Sequence, residues 1–147
     1  MEVLKGKLLE LAEEGAREKA QEAADEAYRA FKVTKRVDED ISAVMGAFRF
    51  TLDGRRITNA RVAYGGMAAT PKRAASAEQA LIGVSLDKQA SWRAACAALS
   101  QDFAPLTDQR ASAAYRMTVA ANLLEKALLE ISGASTPTRI GMLHAAE

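Results

Sequence analysis

Residues 41–66 read ISAVMGAFRFTLDGRRITNARVAYGG, and this stretch decides the fold class. Val44, Gly46, Phe48, Phe50 and Leu52 recur at every second position, the period of a strand with one buried face. Asp53-Gly54 follows, a dipeptide suited to a tight hairpin because glycine accepts the positive φ such turns need. RRITNARVAYGG supplies the partner strand, with Thr58, Ala60, Val62 and Tyr64 on one side and Gly65-Gly66 closing it. Residues 67–74, MAATPKRA, read as a loop or a short third strand around Pro71.

Helical signals take over downstream. Ser76 with Gln79 resembles a capping box, and AEQALIG is a short helix closed by Gly83. Residues 87–101 carry Trp92, Cys96 and Leu99 on one side, and Pro105 breaks that helix. Asp108 is placed to cap a third helix that runs to about Ile131 and stops at Gly133. Its expected stripe is Ala111, Tyr115, Thr118 or Val119, Asn122, Leu123 or Lys126, and Leu129. The expected fold class is α+β: an antiparallel sheet of about three strands with helices on one face. The tail, residues 134–147, has no period and reads as loose.

Upstream the chain changes character near residue 31. Residues 1–30, MEVLKGKLLELAEEGAREKAQEAADEAYRA, are dominated by Ala, Glu, Lys and Leu. Leu4, Leu8, Leu11, Gly15 or Ala16, Ala20, Ala23, Ala27, Ala30 and Phe31 fall on one stripe in steps of three or four. The expectation is one long N-terminal helix, about 45 Å from end to end, with its Ala half flat on the rest of the domain. FKVTKRVDED, residues 31–40, reads as a polar connector. The expected organisation is a helix over 1–30, a domain over 31–133 and a tail over 134–147.

Composition narrows the function classes. A chain of 147 residues holds one domain with a real core. The formal charge is +1, so no global field favours nucleic acid or anionic lipid. No apolar run approaches the ~18 residues of a spanning helix, and no secretory leader is visible. Neither a nucleic acid nor a membrane is an expected partner, and the expected location is cytoplasmic. Cys96 is the single cysteine, which excludes an intramolecular disulfide and argues against zinc or iron–sulfur ligation. His144 is the single histidine and lies in the tail, with only Glu147 as a neighbouring acid, so neither catalysis nor metal binding is expected of it. Asp38, Glu39 and Asp40 beside Lys35 and Arg36 read as a solvated charged loop. Arg110 and Arg116 read as surface or interdomain charges. Tyr64, Tyr115 and Trp92 fit core edges with a polar tip reaching water.

Four blocks carry a family resemblance: DISAVMGAFRFTLDG (40–54), ARVAYGGMAATPKRA (60–74), AEQALIG (77–83) and DFAPLTDQRASAAYRMTVAANLL (102–124). Together they resemble the C-terminal domain of the FAD-binding region of molybdenum hydroxylases, of the CO dehydrogenase flavoprotein C-terminal type. The match is nearest in pattern to bacterial xanthine dehydrogenase small subunits and runs from Phe31 to about Gly133. The resemblance implies an α+β cap beside the flavin ring of an enzyme that oxidises purines at a molybdopterin and passes electrons through iron–sulfur clusters to FAD and NAD. In that family most FAD contacts come from preceding subdomains with Gly-rich phosphate loops. No such loop appears here, since Gly65-Gly66 follows a strand without opening a helix. The same resemblance matches Lys32 to a lysine that lies against FAD, and Arg36, Glu39 and Asp40 to a mobile charged loop. An ammonium at that position would stabilise the reduced flavin anion. The alternative for Lys32 is a solvated lysine just past a helix end, where it complements the dipole.

Residues 1–30 do not resemble the flavin-binding region that precedes this domain in the family. Strong helix formers outside and an Ala-rich stripe inside suit an engineered origin: an excised domain capped by a designed helix, with no catalysis of its own and no cofactor expected. A second expectation is an interaction module that meets a designed partner, or itself, through Leu4, Leu8 and Leu11 or a sheet edge. A third is a xanthine dehydrogenase fragment with weak FAD contact.

Overall fold

The structure is a computed structural model of the chain, and it describes residues 6–13, 26–34, 41–134 and 138. His144, Leu4, the Asp38–Asp40 cluster, Lys35, Arg36 and most of the tail lie outside the described residues. One antiparallel sheet runs in the order β1-β2-β3-β4. Its strands are β1 (Glu26–Val33), β2 (Val44–Asp53), β3 (Arg56–Gly65) and β4 (Lys72–Arg73). The helices are α1 (residues 6–13), α2 (Ala75–Leu81), α3 (Arg93–Asp102) and α4 (Ala113–Ser132), with a 3-10 turn at Gln89–Trp92 ahead of α3. The α+β class holds, and α2, α3 and α4 cover one face of the sheet.

The hairpin at the centre follows its sequence period. Val44, Gly46, Phe48 and Phe50 are buried and Leu52 is half-buried. On β3 the inward set is Ile57, Ala60, Val62 and Tyr64, whereas Thr58 is exposed. The cause is a register shift between Thr51 and Leu52, where Thr51 faces Asn59 but Leu52 faces Ile57. Thr58 is the extra residue of that bulge, and its hydroxyl donates to the Thr51 carbonyl at 3.1 Å.

Two expectations fail together at the N-terminal side. The long helix over 2–31 is absent: α1 ends its described span at residue 13, and residues 26–33 are an edge strand. The sheet therefore has four strands where about three were expected, and Phe31-Lys32-Val33 is strand where a connector was expected. β1 pairs with β2 along its whole length, from Glu26↔Thr51 to Val33↔Val44. Ala27, Arg29, Phe31 and Val33 turn toward the helices while Tyr28, Ala30 and Lys32 turn away. Ala27 and Phe31, four residues apart, satisfy a helical stripe and a strand alternation equally well, and pairing with β2 decides between them.

The inward aromatic side chains form a row across three strands. Phe31 meets Phe48 at 6.2 Å, Phe48 meets Tyr64 edge-on at 5.6 Å, and Tyr64 meets Phe103 edge-on at 5.5 Å. Lys126 lies over Phe31 and Lys72 over Phe103, so each end of the row carries a cation. Tyr64 is fully buried and its hydroxyl donates to the Ala120 carbonyl at 2.7 Å, tying β3 to α4. Trp92 is buried likewise, its indole donating to the Ser85 carbonyl, so neither tip reaches water, while Tyr115 is exposed.

The α4 stripe is rotated from its expected position. The buried set is Arg116, Ala120, Leu123, Leu124, Ala127 and Leu128. Ser112, not Asp108, caps α4, its hydroxyl accepting from Tyr115 N at 3.1 Å, and Gly133 ends the helix at φ 72° as expected. The expected capping box on α2 is also absent. Asp102, at the end of α3, supplies the cap instead, accepting from Ser76 N at 2.8 Å and Ala77 N at 3.0 Å.

Gly46 lies opposite both Phe31 and Tyr64. A Cβ there would sit 2.7 Å from Phe48 Cζ and 3.3 Å from Tyr64 Cε1, so the aromatic row occupies the missing side chain's space. Gly46→Ala should cost about 1–3 kcal/mol by overpacking, read as a lower urea midpoint. An unchanged midpoint would show that the row repacks freely.

Candidate functional site

One end of the sheet carries a cleft of about 590 Å3. Three segments build it: Ile41–Ser42 ahead of β2, the turn Gly66–Ala69 after β3, and the stretch from Phe103 to Arg110 between α3 and α4. A second hollow of about 430 Å3, lined by Val33, Thr34, Ala43, Ser112 and Tyr115 among others, adjoins it. Arg110 lines both.

Arg116, in the first turns of α4, holds the three segments together. One guanidinium nitrogen donates to the carbonyls of Ala43 at 2.7 Å and Gly66 at 2.6 Å. The other donates to Asp108 Oδ1 at 2.7 Å. Only 5% of the residue is exposed, and its Nε is buried without a partner. Gly66 adopts φ +82°, and a Cβ there would lie 2.3 Å from the Ala43 oxygen. The Gly65-Gly66 pair thus serves a close backbone approach around an arginine, not a phosphate cradle.

The two acids of the cleft are already engaged. Asp108 Oδ1 also accepts from Arg110 N at 2.9 Å and Ala111 N at 3.3 Å. The Arg110 amide, followed by the Arg116 guanidinium, holds the Asp108 carboxyl below its ordinary range against an opposing desolvation effect. Asp102 is committed to the α2 amides, and its backbone oxygen accepts from Lys72 Nζ at 2.7 Å. Arg110 is looser, with a terminal nitrogen 3.9 Å from Asp108. Lys72, Arg110 and Arg116 leave the cleft cationic, with Met67 and Phe103 as apolar walls. Such a site can hold an anion beside an apolar group. It pairs no nucleophile with a base among the described residues.

Other candidates stand elsewhere. Lys32 lies on the outer, exposed side of β1 opposite Met45, at the same end of the sheet as the cleft but outside its lining. Cys96 is half-buried in a hollow of about 240 Å3 with Trp92 and Glu125. Burial, with help from the Glu125 charge, pushes its thiol up to about 11, so it is protonated and unreactive near neutrality. No group of three His, Cys, Asp or Glu among the described residues could hold a metal ion. No helix among them is long and apolar enough to cross a membrane.

Arg116, expected as a surface or interdomain charge, is buried within the domain. The signal was present: Arg116, Ala120, Leu123, Leu124 and Ala127 recur in steps of four, three, one and three, the period of one helix face. A long charged residue on an otherwise apolar stripe asks for buried acceptors, and the YGGM turn supplies one.

The fold defines an α+β domain with helices α2, α3 and α4 on one face of its sheet and a cleft at one end. The chain belongs to the CO dehydrogenase flavoprotein C-terminal domain family, whose profile matches residues 29–131. Solved relatives agree. Cu,Mo-CO dehydrogenase in its cyanide-inactivated form is 27% identical with TM-score 0.66, over 74% of this chain and 37% of that chain. The CO dehydrogenase of Hydrogenophaga pseudoflava that lacks the Mo-pyranopterin moiety is 26% identical with TM-score 0.65, over 71% of this chain and 36% of that one. Quinoline 2-oxidoreductase from Pseudomonas putida 86, at 20% identity and TM-score 0.63 over 74% and 37%, shares the fold. No curated protein sequence matches the chain. Membership corrects the expectation that the chain stands outside the enzymes. It is a domain of an oxidoreductase family, matching little more than a third of each solved relative's length.

Two outcomes test the cleft. Arg116→Met should cost about 3 kcal/mol, because it leaves carbonyls and Asp108 without their donor. An unchanged denaturation midpoint would remove Arg116 as the clamp. The folded Asp108 pKa is depressed, so its contribution is present above the unfolded value near 3.8 and is lost as pH falls through the folded value. Asp108→Asn should therefore flatten the fall in stability below about pH 4, measured by urea titration across acid pH. An unaltered slope would contradict the assignment.

Proposed function

We propose that this chain is the flavin-capping domain of the flavoprotein subunit of a molybdenum hydroxylase, of the xanthine dehydrogenase type, with its cleft on the electron-acceptor side. One observation carries the reading: Lys32, the start of the connector to β2 and the cationic cleft all lie at one end of the sheet. The family match and the four sequence blocks support the subunit, and the purine-oxidising type rests on the blocks alone.

The residues present fit one edge of an FAD and not its pyrophosphate. At Gly66, in the Gly65-Gly66 pair, the space a phosphate loop would need is filled by Ala43 and Arg116. Lys32 is an exposed residue on a strand whose other face is fixed by Phe31 and Arg29. Bound FAD would supply two-electron reduction by the enzyme and reoxidation by an acceptor. Lys32 would hold positive charge at the flavin edge and favour the reduced anion. Arg110 would hold an anionic acceptor in the cleft, with Met67 and Phe103 excluding water from its apolar part. Residues 1–25, which precede β1 and lie outside the family match, fit an added segment on composition.

The test replaces the corresponding domain of the Hydrogenophaga pseudoflava flavoprotein with residues 26–134. The expected product is a yellow, FAD-holding protein whose flavin reduction potential falls on Lys32→Met. A folded graft that holds no flavin, or one whose flavin ignores that substitution, would overturn the reading.

A further inference from the structure

We propose that a hollow between α3 and α4 binds a free α-amino acid with an apolar side chain. The hollow has a volume of about 240 Å3 and takes Gln89, Ala90, Trp92, Arg93 and Cys96 from the turn and helix of α3, and Glu125 from α4. It shares no lining residue with the sheet, the cleft or the second hollow beside the cleft. Lys32 turns away on the opposite face of the sheet, so the site stands whether or not the flavin reading does.

Its construction follows from spacing. Gln89, Trp92, Arg93 and Cys96 recur in steps of three, one and three, the interval that puts side chains on one side of a helical run. Trp92 forms the inner wall. It is 2% exposed, and its indole N–H donates to the Ser85 carbonyl at 3.2 Å, which fixes the ring. Cys96 adds a second fixed wall, since its thiol donates to the Ala121 carbonyl at 3.8 Å and joins α3 to α4 beside the hollow. That thiol stays protonated near neutrality and brings no charge to the site.

The charges belong to the rim. Arg93 and Glu125 are exposed and come from different helices. Neither makes a hydrogen bond or an ion pair with a described residue, although both line one hollow. Opposite charges held apart across an apolar wall complement a ligand that carries both charges on one centre. An α-amino acid does so. Its carboxylate accepts from the Arg93 fork, its ammonium donates to Glu125, and its side chain lies against Trp92 and Ala90. A simple anion would be opposed by Glu125, and a simple cation by Arg93. Size agrees, because sites for drug-sized ligands run from ~300 to ~1,000 Å3 and a smaller hollow suits a molecule of amino-acid size.

Trp92 is the single tryptophan, so its fluorescence reads the hollow directly. Titration of the full chain with L-leucine at neutral pH should give a saturable change. L-leucinamide lacks the carboxylate and N-acetyl-L-leucine lacks the ammonium, and each should bind about tenfold more weakly. Arg93→Gln should weaken L-leucine by a similar factor and remove its advantage over L-leucinamide. Glu125→Gln should remove its advantage over N-acetyl-L-leucine. Both residues are exposed, and circular-dichroism melting checks that the variants fold. No saturable change with L-leucine would overturn the inference. So would equal binding of the three compounds, or an advantage over a derivative that survives the matching substitution.

Discussion

Arg116 is the side chain on which the cleft depends. Ala43, Gly66 and Asp108 belong to separate segments, and one guanidinium binds all three. Ordering three surface segments independently would cost about 1–2 kcal/mol of backbone entropy per residue. Anchoring them to one rigid helix concentrates that cost in a single, cooperative contact. The burial of a cation is expensive, and here two carbonyls and a carboxylate offset it. The choice of glycine at 66 follows, since a side chain there would occupy the space between Ala43 and Arg116.

The acids around the cleft share a logic. Asp102 and Asp108 both spend their oxygens on backbone amides, one at the start of α2 and one in the loop before α4. Glu78 does the same for Val62 N while pairing with Arg73. Negative charge is thereby used to finish backbone hydrogen bonding, and the cations Lys72, Arg110 and Arg116 set the sign of the cleft. Lys72 and Arg116 are themselves committed to backbone carbonyls, which leaves Arg110 as the cleft cation least tied to the fold.

The β2–β3 hairpin was legible because its period, its Asp-Gly turn and its aromatic side chains all agree. The Gly133 stop was legible for a similar local reason, whereas residues 67–74, open between a loop and a short strand, contain β4 at Lys72–Arg73. β1 was not. Ala27 and Phe31 fit two periods, and the ladder to β2 and the Arg29–Glu130 pair at 3.0 Å distinguish them. The Thr58 bulge was invisible, since a one-residue slip leaves composition unchanged. At the site, the sequence marks Arg110 and Arg116 only as surface or interdomain charges, because burial of an arginine is decided by carbonyls distant in sequence. Asp102 as a cap for α2 was hidden for the same reason. Lys32 came from resemblance, and the structure places it on the outer face at the cleft end of the sheet.

The central claim is that Arg116 orders the cleft as one unit on an independently stable sheet. Amide hydrogen exchange of the full chain with Arg116→Met measures this directly. The account predicts faster exchange confined to residues 41–44, 66–69 and 103–112, with β2 and β3 protected as before. Equal loss of protection across the sheet, or none at the cleft segments, would contradict it.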